Sequence, residues 1–174
     1  MMRWLSFLGA VSLFAVEAPK RMLLYEQTRD GVERVLADCV ARGVTRIEVV
    51  ILPAGEPRPN ALGEHAMGYG GQAHTDVALP NPAFFQHMDW VLKRAAAKRI
   101  ELAVLPADRE SLLLVRNSTG KFFDWGRYLG RRYMKARNLV WLKQAKESGG
   151  AASAIEEGIR HFDANHRFEL SSAD

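Results

Sequence analysis

Asp108 and Glu110, separated by Arg109, follow directly on the apolar run that ends at Leu105-Pro106. Two carboxyl groups at the end of a strand are what hydrolytic acid/base chemistry requires, one holding a proton and one ionised. A solvated cluster of loop charges has the same pattern and is the favoured reading. Glu64, His65, His74 and Asp76 offer oxygen and nitrogen donors within one segment, but their spacing matches no metal-ligand signature. Exposed loop histidines are the simpler account, and neither a metal nor a cofactor is expected. His87 and Asp89 lie within an apolar helical pattern that sets His87 beside the buried face, as a structural histidine rather than a base. Gly68-Tyr69-Gly70-Gly71 neither follows a strand directly nor opens a helix, which argues against a phosphate loop. Cys39 is the one cysteine, so an intramolecular disulfide and a cysteine-based metal cluster are excluded. It falls near the apolar stripe of a predicted helix, as a buried thiol would.

These residues are carried by alternating helix and strand signals. A first helix is predicted over about 29–42, capped by Thr28 or Asp30, burying Val32, Val35, Leu36, Cys39 and Val40, and ended by Gly43. Ile47 to Leu52 form a strand. Residues 54–80, rich in Gly and Pro, form a long loop of the kind that is usually functional. Asn81 caps a helix over 82–98 with Pro82 in its first turn. Phe84, Phe85, Met88, Val91, Leu92 and Ala95 fall on its inner stripe. A strand over 100–105 follows, then a loop over 106–119 interrupted by the apolar run Leu112–Val115. A third helix covers about 120–136, with Phe122, Trp125, Leu129 and Tyr133 facing inward. Leu139–Leu142 form a strand, a fourth helix spans about 151–163 with Ile155, Ile159 and Phe162, and Phe168–Leu170 read as a last short strand. The strands lack clear alternation, as in a parallel sheet covered by helices, so the class is α/β. Pattern alone does not separate an open doubly wound sheet from part of a barrel.

The chain has 174 residues, 48% hydrophobic and 25% charged, with a formal net charge of +4. That suits one domain with its own core and is weak support for a polyanion partner. Arg127, Arg131 and Lys135 share one helical face, but a solvated outer face is the favoured reading and no nucleic-acid partner is expected. Arg3 followed by the apolar run Trp4–Val16 reads as a signal peptide ending near Val16-Glu17-Ala18 or as a first strand, and it is too short to span a membrane. Residues 1–18 therefore stand apart from a single domain over 19–174. The location is secreted or periplasmic if they are cleaved and cytoplasmic otherwise.

The stretch Asn81, Phe84, Phe85, His87, Met88, Asp89, Trp90, then Val104-Leu105-Pro106, resembles the apiosidase-like glycoside hydrolase barrels. In that family an Asn-x-x-aromatic-aromatic-x-His-(Val/Met)-Asp-aromatic helix leads into a strand ending Leu-Leu-Pro. Pro59-Asn60-Ala61-Leu62-Gly63, Tyr128-Leu129-Gly130-Arg131-Arg132-Tyr133, Arg137–Leu142, and Glu157-Gly158-Ile159-Arg160 with Asp163-Ala164-Asn165-His166 are similar to further family segments. The resemblance runs from about residue 22 to 170. It implies a partial (β/α)8 TIM-type barrel of about five parallel strands with flanking helices, the N-terminal run supplying the first.

The resemblance also implies where chemistry should sit. Barrel enzymes place reacting groups at the C-terminal ends of strands, and glycoside hydrolysis uses two carboxyl groups across the sugar. The family's fourth strand runs Ile-Trp-x-Leu-Gly-Gly-Asp. Here the residues are Val140-Trp141-Leu142-Lys143-Gln144-Ala145-Lys146, without the glycine pair or the aspartate. Glu147 is the nearest carboxylate, and the family's partner carboxylate lies on a later strand than this chain contains. The family often continues Leu-Pro with Thr-Trp, whereas Ala107-Asp108-Arg109-Glu110 follow here. The expectation is a truncated, catalytically impaired or inactive relative of enzymes acting on plant cell-wall polysaccharide. The alternatives are a non-enzymatic carbohydrate-binding or scaffold half-barrel, or a gene fragment. Asp108 and Glu110 are the weak catalytic candidates, able to flank a glycosidic bond if they have been recruited. Asn60, Lys143 and Gln144 are the candidate substrate contacts, the lysine favouring acidic oligosaccharides. A partial barrel leaves sheet edges open, so a homodimer through an exposed edge is expected.

Overall fold

Helix starts follow their capping residues. The computed structural model describes residues 21–68, 75–115, 117–144 and 150–171. Thr28 Oγ1 accepts from the Gly31 N–H at 3.3 Å and opens helix α2, Arg29–Ala41. Gly43, at φ 70°, turns the chain out of it in a conformation that suits glycine. Asn81 Oδ1 accepts from the Ala83 N–H at 3.0 Å and opens α3, Pro82–Ala97, with Pro82 in the first turn. Ser118 caps α5, Thr119–Tyr133, and α6 spans Gly150–Phe162. The inner stripes of α3 and α5 are buried as their periodicity predicts. On α2, Val32, Leu36 and Cys39 are buried, but Val40 is half exposed, because the stripe centres on the 32/36/39 line and 40 lies at its edge.

Strands β1 (Arg46–Leu52), β2 (Glu101–Ala107), β3 (Leu139–Lys143) and β4 (Phe168–Leu170) form one sheet in the order β1-β2-β3-β4, every pair parallel. Four strands stand among the described residues. The fifth expected strand falls in residues 1–18, outside them, as do His74, Ala145, Lys146 and Glu147. Ile47, Val49, Ile51, Leu102, Val104, Leu139 and Trp141 pack against the helices in the main core. The alternate residues Val50, Ala103, Leu105 and Leu142 form a second, smaller cluster on the opposite face, against which Met22 packs. A sheet buried on both faces explains why the strands do not alternate.

Two segments depart from expectation. Residues 106–119 are not all loop: Arg109–Val115 form helix α4, its first turn closed by the Leu112 N–H donating to the Asp108 carbonyl at 3.1 Å. Three consecutive leucines hid it. Leu112 is buried, whereas Leu113 and Leu114 are exposed, so only one of them follows a helical stripe. Leu23–Glu26 form a further one-turn helix, α1, in the segment aligned with the loop after a first strand.

α5 and α6 approach so closely that only glycine fits between them. A Cβ on Gly126 or Gly130 would lie 2.3 Å from the carbonyl oxygen of Ile155 or Ile159, and one on Gly158 would lie 2.1 Å from that of Phe123. Trp141, fully buried on β3, donates its indole N–H to Asp163 Oδ2 at 2.9 Å. Asp163 Oδ1 accepts the backbone N–H of His166 at 3.1 Å, closing the turn before β4. Among the described residues no helix is long and apolar enough to cross a membrane.

Candidate functional site at the strand C-termini

The C-terminal ends of β1, β2 and β3 bring together side chains far apart in sequence. Asp108, one residue beyond β2, is anchored through its own backbone, its N–H donating to the Leu52 carbonyl at 2.8 Å. Both carboxylate oxygens are engaged. Oδ1 accepts from Arg21 Nη2 at 3.0 Å and from Gln144 Nε2 at 3.4 Å, and Oδ2 accepts from the Ala54 N–H at 3.0 Å. Asp108 thus ties the loop after β1, the end of β3 and the segment entering α1. Arg21 also lies 3.7 Å from Glu48 Oε1, and Ser171 Oγ donates to the same buried carboxylate. Glu110 sits in the first turn of α4 and is exposed.

Lys143 closes β3 with its ammonium half exposed, 3.4 Å from Glu156 on α6. Glu156 also receives Arg160 at 2.8 Å, leaving one net positive charge among the three groups. Lys143, Gln144 and Glu156 rim a shallow cleft whose walls include Leu112, Leu142 and Ile155. A second cleft lies beyond α4 at the end of β1, lined by Tyr25, Leu52, Arg58, His65, Met67 and Leu114 among others. Burial pushes the Tyr25 hydroxyl pKa up, outweighing the lowering by Arg58, so the group stays protonated and donates to the Ile51 carbonyl.

The sequence candidates are thus partly brought together. Gln144 reaches Asp108, whereas Lys143, next to it in sequence, turns to Glu156 on α6. Asn60 lines neither cleft: its Oδ1 accepts the N–H groups of Leu62 and Glu64, both at 2.9 Å, and shapes the long loop. Glu64 accepts from Asn81 and Asp76 pairs with Lys121, so the donors of that loop are engaged separately. Among the described residues no three His, Cys, Asp or Glu side chains gather as a metal site. His87 is buried and stacks on Trp90, and burial, with a smaller contribution from Arg29, lowers its pKa. Asp89 takes a bidentate contact from Arg132 at 3.0 and 2.6 Å and joins α3 to α5. Arg21, Glu156 and the Ala54 N–H carry no local sequence signal. Arg21 and Ala54 reach Asp108 from 87 and 54 residues away, and Glu156 meets Lys143 from 13 residues further along the chain.

A parallel sheet with helices on one face and polar groups gathered at its strand C-termini is the arrangement of a TIM-type barrel, here four strands of one. Solved structures agree on the fold. A family 5 glycoside hydrolase from Bacteroides vulgatus matches 86% of this chain and 33% of its own, with a TM-score of 0.72 at 22% identity. A second structure, described as a glycoside hydrolase, matches 86% and 34%, with a TM-score of 0.70 at 22% identity. An endo-1,4-beta-mannanase from Rhizomucor miehei matches 86% and 54%, with a TM-score of 0.52 at 11% identity. The chain spans about a third of the length of the first two. No curated protein matches it in sequence. The model of the apiosidase-like catalytic domain matches residues 21–172, and the chain belongs to that family of glycoside hydrolase domains.

Proposed function

We propose that this domain binds acidic oligosaccharides of plant cell-wall origin at its strand C-termini and does not hydrolyse them. The observation that carries the reading is the state of Asp108. An acid or nucleophile must present a free oxygen to the substrate. Both oxygens of Asp108 are already held by Arg21, Gln144 and Ala54. At the end of β3, Lys143 and Gln144 stand where the family carries the run leading to its aspartate. An ammonium there offers a charge-assisted hydrogen bond to a sugar carboxylate. It would hold a neighbouring carboxyl group ionised, the wrong direction for a general acid. Gln144 supplies a neutral donor beside it, and Asn60 acts at one remove, by holding the long loop in shape.

The reading is tested by calorimetric titration with oligogalacturonide at low and at physiological ionic strength. Weak binding that fades with salt and is reduced in Lys143→Gln and Gln144→Ala is expected. Equal binding of a neutral oligosaccharide, or no effect of either substitution, contradicts it. The edge of β4, where Leu170 is 62% exposed, supports a homodimer through the sheet edge.

A further inference from the structure

The outer surface of α5 and α6 carries a feature that the strand-end site does not use. Arg127 and Arg131, one helical turn apart on α5, both place their guanidinium groups over the ring of Phe162 on α6, at 5.5 and 5.9 Å from its centroid. His161 packs edge-on against the same ring at 4.9 Å and against Phe123 at 6.2 Å. Lys135 and Arg137 follow, both exposed. Elsewhere on the described surface Arg42, Arg46, Arg94, Lys98, Lys121 and Arg132 each lie against a carboxylate, whereas Arg34 and Lys93 stand as exposed cations without one. Here Asp124 answers Arg127 at 3.4 Å, while Arg131, Lys135 and Arg137 have no carboxylate partner among the described residues.

Like charges one turn apart oppose each other. Stacking on an aromatic ring offsets this and fixes two long side chains before any ligand arrives. A guanidinium held in this way presents a planar fork of donors that matches a carboxylate. The cluster lies on the helical layer, away from the strand C-termini.

We propose that Arg127, Arg131 and Phe162, extended by Lys135, form a surface site for a polysaccharide bearing repeated carboxylates, that is, a polyuronate. The patch complements such a polymer in charge. Phe162 is partly buried and taken up by the two guanidinium groups, so it offers little platform on which a nucleobase could stack, which favours a polyuronate over a nucleic acid. The choice of a carbohydrate rests on the carbohydrate-binding reading above; the location does not.

The test is affinity electrophoresis of the full chain through gels containing polygalacturonate, its fully methyl-esterified form, or single-stranded RNA. The variants are Arg127→Gln/Arg131→Gln, the surface control Arg34→Gln/Lys93→Gln, which removes the same charge from α2 and α3, Phe162→Leu, and Lys143→Gln. Circular dichroism verifies that each is folded. Retardation by polygalacturonate but not by its ester is expected. Affinity should fall about tenfold in the arginine pair and little in the surface control, as preorganised contacts rather than net charge would have it. Phe162→Leu, which keeps both charges but frees them, should fall in between. Equal losses in the arginine pair and the control overturn the proposal, as does stronger retardation by RNA. If Lys143→Gln alone abolishes binding, the strand-end reading stands and this proposal fails. If the arginine pair alone does so, this proposal stands and the strand-end reading fails. No retardation of any form overturns both.

Discussion

Replacing Gly158 by alanine should destabilise the domain through the α5–α6 contact, with nothing removed. The new Cβ would stand 2.1 Å from the Phe123 carbonyl oxygen and 2.9 Å from both the Arg127 nitrogen and the Gly126 Cα. An ordinary non-bonded contact is about 3.5 Å, so the helices must part by roughly 1.4 Å. All three obstacles are backbone atoms, which cannot rotate away as a side chain would. Overpacking of this kind costs about 1–3 kcal/mol, and here the upper end applies. Alanine's better helix propensity offsets about 1 kcal/mol. A net loss of about 2 kcal/mol lowers the melting temperature of a domain this size by about 4–8 °C. Thermal unfolding followed by circular dichroism reads the shift. Gly120→Ala is the control, since its Cβ would meet nothing closer than Ser118 Oγ at 3.9 Å, and it should melt at or slightly above the parent. A Gly158→Ala variant melting with the parent would refute the packing argument. The contact bears on the site too, because α6 holds Glu156 against Lys143.

Asp163→Ala strands the buried Trp141 indole N–H and opens the turn at His166. It should lower the urea midpoint by an amount equivalent to about 2–3 kcal/mol, with Asp163→Asn milder. The depressed pKa of buried His87 means that the unfolded chain binds the extra proton first. Its contribution to stability is therefore full above about pH 6.5 and is lost as pH falls below that value, and His87→Leu should flatten this acid limb in melts across pH. Light scattering of the purified chain should give the mass of a dimer, reduced toward the monomer by Leu170→Lys, and a concentration-independent monomer would contradict pairing through the sheet edge.

Much of the fold is legible because local signals agree with it. Thr28, Asn81 with Pro82, and Gly43 mark helix ends that the structure keeps, and the apolar stripe from Phe84 to Ala95 is buried throughout. Helix α4 was not legible, since an unbroken leucine run has no period and the helix is only two turns long. The glycines at 126, 130 and 158 are visible as letters, two of them within family-like segments. Their purpose appears only once two helices touch. The site divides in the same way. Lys143 and Gln144 can be placed from the strand that carries them. The engagement of Asp108 by Arg21, Ala54 and Gln144 is a tertiary fact, spread over partners 87, 54 and 36 residues away, and no local pattern encodes it.

The most direct test of the central claim is sugar release from a pectic polysaccharide by the purified chain, followed chromatographically over long incubation. The account predicts no release above a protein-free control, with Asp108→Asn and Glu110→Gln indistinguishable from the parent. Release by the parent that either substitution abolishes would show that these carboxylates act in catalysis, and would contradict the reading of Asp108 as a group committed to holding the strand ends together.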